Sequence, residues 1–311
     1  MGTGEGLGSP AMDSSSRFRK VDRIVTPLIL FTGVYLCSFL VVAMSSMASG
    51  PRLQWLALGC VVLATVVAVA LIDGGRWPIG LGRVIHRSVP ELVSGAGIAV
   101  VLVGSGDTLI RAVGAVGHVR LGSLDPMLIG TFFLPAALHE ELLFRGYLLQ
   151  KLLTWRRGPA VIISSALFTM AHMGNSSLSR VAVVNIFLAG LLLALAYLLY
   201  RRLWLPIGIH FAWNVMSGPV LGYRVSGIHV TDTIFRSDLT GPSWITGGLF
   251  GIEGSVAMTL VEVLAIAGLA LLLRKKEMLE RSEAFEPFVT PAPASGLAEA
   301  DSSCAPDKGD S

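Results

Sequence analysis

The chain has 311 residues, of which 53% are hydrophobic and only 14% are charged. A soluble globular protein carries about 25% charged residues, so this composition excludes a fully water-exposed surface and favours an integral membrane protein. The net charge of +3 comes without a basic stripe of the kind that binds nucleic acid. Cys37, Cys60 and Cys304 form no disulfide or CxxC pattern.

Eight apolar segments are long enough to cross the membrane, because a helix of about 20 residues spans a hydrocarbon layer of about 30 Å. The sequence therefore predicts an all-α polytopic membrane protein with about eight transmembrane helices. In chain order the predicted spans are 24–46, 53–72, 89–110, 127–150, 158–177, 181–200, 203–222 and 255–273.

Both ends of the chain are polar. Residues 1–22 precede the first apolar run, and the stretch after about residue 283 is rich in Pro, Ala and Ser, a composition typical of disorder. We therefore expect a transmembrane domain over 23–275. It would be flanked by a cytoplasmic N-terminal tail, 1–22, and a disordered cytoplasmic C-terminal tail, 276–311.

Basic residues concentrate on the cytoplasmic side of short loops. On the eight-span map, sixteen Lys and Arg residues lie in the N-terminal segment, in connections two–three, four–five and six–seven, and after the last span; the alternate connections hold six. This asymmetry predicts cytoplasmic termini, in a bacterial-type cytoplasmic membrane, and an external connection over 223–254. Glycines in 241–255 indicate a tight or re-entrant turn, and Glu253 within it is expected to be a surface or interfacial residue.

Ionisable side chains inside a membrane cost about 2.5–3.5 kcal/mol each on insertion scales and therefore mark candidate functional sites. We expect them in three spans, the fourth, fifth and seventh. The fourth contains Glu140, Glu141 and Arg145. The i,i+4 spacing of Glu141 and Arg145 predicts an ion pair, which leaves Glu140 available for proton transfer. The alternative is a buried network that serves only helix packing.

The fifth and seventh spans each place two residues on one helical face. Phe168 and His172 lie in the fifth, and His210 and Asn214 in the seventh. Taken alone, His172 is better explained as a core residue, and the second pair is evenly divided between packing and function. At a rise of 1.5 Å per residue, however, all these groups and Glu140 can share one layer towards the cytoplasmic half of the membrane.

The residue types limit the chemistry of such a site. No Ser or Cys nucleophile motif accompanies it, so a carboxylate and a His that activate water, with a second His and an Asn for an oxyanion, are favoured. Glu140, His172 and His210 could also hold zinc as a three-ligand catalytic site. The zincin helix motif is missing, because Leu143 stands four residues after His139. A divalent metal such as zinc is thus permitted but not required.

These three blocks resemble the CAAX protease and bacteriocin-processing (CPBP, or Abi) family, which includes the type II CAAX prenyl endopeptidases. The family signature is a Glu-Glu pair with Arg four residues after the second Glu, then Phe-x-x-x-His, then His-x-x-x-Asn, each on its own membrane helix. The resemblance covers about residues 127–220. The matching positions are Glu140, Glu141 and Arg145; Phe168 and His172; and His210 and Asn214.

The resemblance implies an intramembrane endopeptidase with its catalytic core on spans four, five and seven. It implies that Glu140 and His172 activate water, that His210 and Asn214 hold the oxyanion, and that Glu141 with Arg145 supports them. Phe168 is expected to contact substrate. The substrate would be a membrane-associated peptide or protein, prenylated or bacteriocin-like. A proton-coupled transporter and a non-catalytic immunity or scaffold protein are the alternatives; the transporter lacks support from any inverted repeat.

Overall fold

The computed structural model describes residues 14–44, 50–75, 80–81, 85–120 and 122–283. The chain divides into two units, Met1–Leu273 and Arg274–Ser311. The predicted tails are described only from residue 14 at one end and as far as residue 283 at the other, and Cys304 lies outside the described residues.

Eight helices of twelve or more residues follow one another in the described residues, one for each predicted span. The fourth, α4, joins α-helical and π-helical segments without a break. The helices are α1 Ser14–Met44, α2 Gly50–Leu71, α3 Ile85–Ala112, α4 Pro126–Leu153, α5 Arg157–Ala171, α6 Arg180–Tyr200, α7 Trp204–Val215 and α8 Val256–Glu283.

Five of these helices are long and apolar enough to cross a membrane, and α1 and α5 contain shorter apolar stretches, Ile24–Leu40 and Arg157–Ala171. Large apolar side chains such as Ile29, Val101 and Leu264 are exposed on the helices, as contact with lipid requires. The predicted all-α polytopic membrane fold is confirmed, whereas the number of eight spans stays a prediction. The five long spans are Gly50–Leu71, Ser88–Ala112, Pro126–Leu153, Arg180–Tyr200 and Val256–Glu280.

Helix α4 is not a regular α-helix. Two π-helical segments, Ile129–Phe133 and Leu142–Leu148, frame the α-helical segment Leu134–Glu141, which ends with the two adjacent carboxylates. Helix α7 likewise continues into a π-helical turn, Met216–Val220. π-helical turns are rare and occur frequently at functional sites, so their positions beside the candidate residues are informative.

Helix α5 is shorter than the predicted span 158–177. It ends at Ala171, and His172 is its C-cap residue. The sequence Gly174-Asn175-Ser176-Ser177 follows, and Ser177 adopts a positive φ of 60°. Because Gly, Asn and Ser favour turns, the helix stops just before this stretch. His172 therefore lies at a helix end instead of within one.

Two connections that sequence analysis treated as loops pair in a small sheet. Strands β1, Val116–Arg120, and β2, Phe235–Leu239, are antiparallel, with Val116 opposite Leu239 and Arg120 opposite Phe235. Nothing in either short segment predicts this pairing, because the strands are far apart in the chain and have no apolar alternation. The sheet ties the connection after α3 to the long connection between α7 and α8.

The connections before α3, after α4 and before α7 gather at the opposite end of α3. The backbone N–H of Leu203 donates to the carbonyl of Gly80 at 2.8 Å, which joins the connections before α3 and before α7. Lys151, near the end of α4, forms an ion pair with Asp73. This grouping at two ends is what an alternating path through a membrane requires.

Two glycines let α3 and α7 approach until their backbones touch. A Cβ at Gly95 would overlap the carbonyl oxygen of Leu205, and one at Gly208 would overlap that of Leu92. Small residues support such close packing in membranes, where burial from water does not drive helices together. The contact fixes the position of α7, which carries His210.

Candidate active site

The carboxylate of Glu140 faces two imidazoles from two other helices. Its Oε2 atom lies 3.6 Å from Nε2 of His172 and 3.7 Å from Nε2 of His210. Among the described residues this buried oxygen has no hydrogen-bond partner. Both distances exceed that of a direct hydrogen bond. The π-helical turn that starts at Leu142 and the end of α5 bring these atoms together.

His172 is oriented by its own helix. Its Nδ1 atom lies 2.8 Å from the carbonyl oxygen of Phe168. A backbone carbonyl only accepts hydrogen bonds, so Nδ1 carries the proton. In the neutral ring the Nε2 lone pair therefore points towards Glu140.

Glu141 holds both Arg145 and His210 through one oxygen. Its Oε1 atom accepts from Nη1 of Arg145 at 2.9 Å, the predicted i,i+4 ion pair, and contacts Nδ1 of His210 at 2.8 Å. Glu141 and Arg145 are both fully buried. A carboxylate that is paired with Arg is ionised, so Nδ1 of His210 is the donor. The two adjacent carboxylates thus have different surroundings, as the sequence predicted.

Arg145 is enclosed by protein. Its Nη2 donates to the carbonyl of Gly190 at 3.1 Å, and its guanidinium lies 4.5 Å from the centre of the Phe168 ring. A Cβ at Gly190 would crowd Ser165 at 2.9 Å, so glycine is required for α6 to come this close to α5. The same Phe168 ring lies 4.6 Å from the ring of His172.

Phe168 is only 3% exposed. Its ring is occupied by Arg145 and His172, although it lies at the edge of the cavity described next. The expected contact with substrate stays a prediction, and the observed contacts are those of a residue that positions its neighbours.

Glu140, Phe168, His172, His210 and Asn214 line one cavity of about 510 Å³. The Asn214 side chain is buried. The three helices predicted to carry the site therefore do converge. A further polar pair at this cavity was not predicted from the sequence: the hydroxyl of Tyr35 and Nε2 of His139 lie 2.8 Å apart.

The fit of a metal ion can be judged from the donor groups. Glu140, His172 and His210 are the residue types of a catalytic zinc site, and each His has its Nδ1 held by an acceptor, as metal-binding His residues do. Within the described residues, however, no group of three or more His, Cys, Asp or Glu side chains is placed to hold a metal ion. The geometry does not fit, and no reaction step below passes through a metal.

The part of the chain that carries the candidate site is similar to a known family. Residues 123–216 match the sequence model described as "Type II CAAX prenyl endopeptidase Rce1-like". This segment is similar to that family. The match covers the Glu-Glu, Phe-x-x-x-His and His-x-x-x-Asn blocks, and it confirms the resemblance predicted from them. No curated protein and no solved structure matches the chain significantly.

The type II CAAX prenyl endopeptidases are peptidases, so the match supports peptidase activity in the membrane. With the apolar helices described above, it supports an integral membrane protein. The matched segment ends at residue 216 and does not include the connection between α7 and α8, or α8 itself.

That unmatched part supplies the clearest corrections to the sequence analysis. Glu253 was expected at a surface or interface, but it lines the same cavity as Glu140. Its carboxylate accepts from the N–H and hydroxyl of Ser226 at 2.7 and 2.8 Å and from Nε1 of Trp213 at 3.1 Å. Gly247 and Gly251, with φ of 83° and 111°, fold the connection back towards the helices, as the predicted tight turn requires.

Buried ionisable groups are also not confined to spans four, five and seven. Glu262 in α8 is 1% exposed and lines the cavity, and Asp107 in α3 is 5% exposed. Asp107 accepts from Tyr223 at 2.8 Å and contacts His118 of β1 at 2.7 Å, so it supports the β1–β2 sheet. The sequence alone could have indicated Glu262, because it is a carboxylate inside an apolar run. It could not have predicted the fold of the connection between α7 and α8, which brings Glu253 to the cavity.

Burial raises the pKa of the Glu253 carboxyl group above its ordinary value of 4.5. The hydrogen bonds from Ser226, the positive charge of protonated His172 and the hydrogen bond from Trp213 oppose this rise, but desolvation is the larger effect.

Proposed function

We propose that this protein is an intramembrane endopeptidase that hydrolyses a peptide bond of a membrane-associated substrate with water activated by Glu140 and His172. The observation that carries the proposal is the approach of one unpartnered Glu140 oxygen to two imidazole Nε2 atoms. A packing network would pair that oxygen directly, because a buried carboxylate oxygen without a partner is costly.

Water activation follows from the hydrogen-bonding roles of the two groups. A water molecule within 3 Å of Oε2 of Glu140 can donate one hydrogen to it and the other to Nε2 of His172. When the water oxygen attacks the peptide carbonyl carbon, Glu140 takes its proton as general base. Glu140 then returns that proton to the departing amine nitrogen, so protons balance over the cycle.

His210 and Asn214 are suited to the negative charge that develops on the carbonyl oxygen. Since Nδ1 of His210 donates to Glu141, a second proton on Nε2 gives a donor directed into the cavity. The ionised Glu141 favours this imidazolium form electrostatically. The Asn214 amide supplies the second donor. Two such donors act as an oxyanion hole.

The supporting residues act through their neighbours. Glu141 fixes the ring of His210, Arg145 keeps Glu141 ionised, and Phe168 packs between Arg145 and His172. We therefore treat Glu141, Arg145 and Phe168 as positioning residues and Glu140, His172, His210 and Asn214 as catalytic residues.

A substrate of the prenylated CAAX type fits the character of the cavity better than a soluble peptide does. Its walls are mostly aliphatic and aromatic, and its volume of about 510 Å³ is in the range that holds small-molecule ligands. A bacteriocin-like peptide is the other membrane-associated candidate. We further propose the domain layout 1–22, 23–275 and 276–311, with both tails in the cytoplasm and the transmembrane domain in a bacterial-type cytoplasmic membrane.

The test is cleavage by purified protein in liposomes. A library of membrane-tethered peptides, with and without a C-terminal prenyl group, is incubated with the protein, and the products are identified by mass spectrometry. We expect cleavage at defined bonds, with prenylated peptides preferred. Proton uptake driven by a pH gradient, without any cleavage, would contradict the proposal and support a transporter.

A further inference from the structure

The cavity has a second polar region, formed by Glu253 and Glu262, that the hydrolytic mechanism does not use. Glu253 follows the folded-back connection, and Glu262 lies in α8. Both line the cavity that contains Glu140 and His172. The two carboxylates thus share a space with the catalytic residues, yet lie outside the segment matched to the protease family.

The two carboxylates have unequal partners. Glu253 is held by Ser226 and Trp213, both neutral donors. Oε2 of Glu262 is buried, and among the described residues it has no hydrogen-bond partner. Neither carboxylate forms an ion pair within the described part of the chain. Two carboxyl groups therefore face the cavity without a compensating cation from the described part of the chain.

The neighbouring polar groups are already used. Asn185 donates to the carbonyls of Glu253 and Ser255 at 2.7 and 2.8 Å and accepts from Thr259 at 2.6 Å. These bonds fix the start of α8 and hence the position of Glu262, one turn beyond Thr259. The Asn185 side chain cannot rotate to donate to Oε2 of Glu262 without losing these three hydrogen bonds.

The described residues around Glu253 and Glu262 supply no basic side chain that could pair with the two carboxyl groups. Within the described residues no Lys or Arg side chain lines this cavity, while Glu140, Glu253 and Glu262 all do. A calcium ion would need six to eight oxygen ligands, more than two carboxylates offer. An ammonium or guanidinium group instead brings several donors that two carboxylates can accept.

We propose that Glu253 and Glu262 form a subsite that binds a positively charged side chain of the substrate, Lys or Arg, close to the bond that is cut. The inference rests on the proposed peptidase function. It extends that function from a membrane-associated peptide to one with a basic residue near the cleavage site. The acidic pair, together with the apolar walls, would select for both a cation and an apolar portion of the same substrate.

The experiment compares peptides that differ at one position. Each residue flanking the mapped cleavage site is replaced in turn by Lys or by norleucine, which has a similar length and no charge. For one position we expect kcat/KM to be about 10–100-fold higher with Lys, the size of effect of a hydrogen bond to a charged group. Glu262→Gln and Glu253→Gln should each reduce this ratio to about 2-fold or less.

Matched controls separate the subsite from general effects. Glu280→Gln removes an exposed carboxylate of the second unit, whose ion pair with Lys276 is 3.8 Å long, and should keep the wild-type ratio. In Glu253→Gln protein the amide oxygen still accepts both hydrogen bonds from Ser226 and only the bond from Trp213 is lost, so the folded connection should persist. Glu262→Gln tests the same ratio without touching that connection.

Binding to a cleavage-deficient protein distinguishes the two proposals. Glu140→Gln protein should bind the Lys peptide more tightly than the norleucine peptide, and adding Glu262→Gln should remove the difference. If wild-type protein cleaves peptides with no Lys preference at any position, the subsite is wrong and the peptidase function stands. If nothing is cleaved but the Glu262-dependent binding is seen, the subsite stands and the peptidase function is wrong. An unchanged Lys preference in Glu262→Gln protein would overturn the subsite.

Discussion

The Oε1 atom of Glu141 lies 2.8 Å from Nδ1 of His210 and also accepts from Arg145. One carboxylate oxygen therefore connects α4 to the imidazole of His210 in α7. Its neighbour Glu140 has no such anchor and faces the cavity. The two adjacent carboxylates thus have different surroundings, and in the proposed mechanism only Glu140 reacts.

Glu141→Gln should damage stability as well as activity. The substitution leaves the fully buried Arg145 without a counter-charge, and breaking a buried ion pair costs about 3–5 kcal/mol. It also weakens the hold on His210. Thermal melts in detergent should show a large fall in the unfolding midpoint for this variant and almost none for the exposed Glu280→Gln control. Equal midpoints for the two variants would mean that the pair contributes little.

The unfolding free energy should depend on pH through Glu253. Because the folded-state pKa of this group is raised above 4.5, its contribution to stability is present at low pH and is lost as pH rises through the folded-state pKa. Glu253→Gln should remove that part of the pH dependence, since Gln keeps an acceptor for Ser226. His172 and Glu262, the ionisable neighbours of Glu253, are present in both proteins, so the difference between the two melting curves against pH isolates Glu253. Parallel curves would contradict the assignment.

Chelation separates the metal-free mechanism from a zinc mechanism. In the mechanism proposed here, protein treated exhaustively with a chelator stays active, and Asn214→Ala lowers kcat by about 10²–10³-fold, the usual effect of losing one oxyanion donor. If zinc is used, chelation abolishes activity, added zinc restores it, and zinc content falls in His172→Ala and His210→Ala proteins. Stoichiometric zinc that is lost together with activity would contradict the metal-free mechanism.

The topology can be tested at the two ends of the helices. Because β1 pairs with β2, cysteines introduced at the exposed positions Ser123 and Asp232 should react from the same side of the membrane, which the distribution of basic residues predicts to be external. A cysteine at Lys276 should react from the cytoplasmic side. Native cysteines are replaced first, since Cys37 is exposed. Labelling of Lys276 from the same side as Asp232 would remove the eight-span map.

The features that could be predicted from the sequence are those that depend on local helix geometry and on the cost of charge inside a membrane. The apolar segments marked the eight helices, the i,i+4 spacing predicted the Glu141–Arg145 pair, and the cost of buried charge identified Glu140, His172 and His210. Glu262 carried the same signal in α8 and was missed, because no second ionisable residue in that apolar run accompanied it.

Other features depend on contacts between distant parts of the chain. Glu253 reaches the cavity only because glycines with positive φ fold its connection back. The β1–β2 sheet joins segments that are far apart in the chain, and neither segment has the apolar alternation that would predict a strand. The π-helical turns of α4 and α7 have no sequence signature in the apolar periodicity, because one inserted residue rotates a helix face without changing its composition.

The central claim is that Glu140 activates the attacking water, and Glu140→Gln tests it most directly. Gln keeps the size of the side chain but is not a base. Wild-type, Glu140→Gln and Glu280→Gln proteins are compared in liposomes with one cleaved peptide, together with their melting curves. We predict that Glu140→Gln keeps the wild-type unfolding midpoint while its kcat falls by at least about 10²–10⁴-fold, the typical contribution of a general base, and that Glu280→Gln matches wild type. Folded Glu140→Gln protein that cleaves the peptide at the wild-type rate would contradict the account.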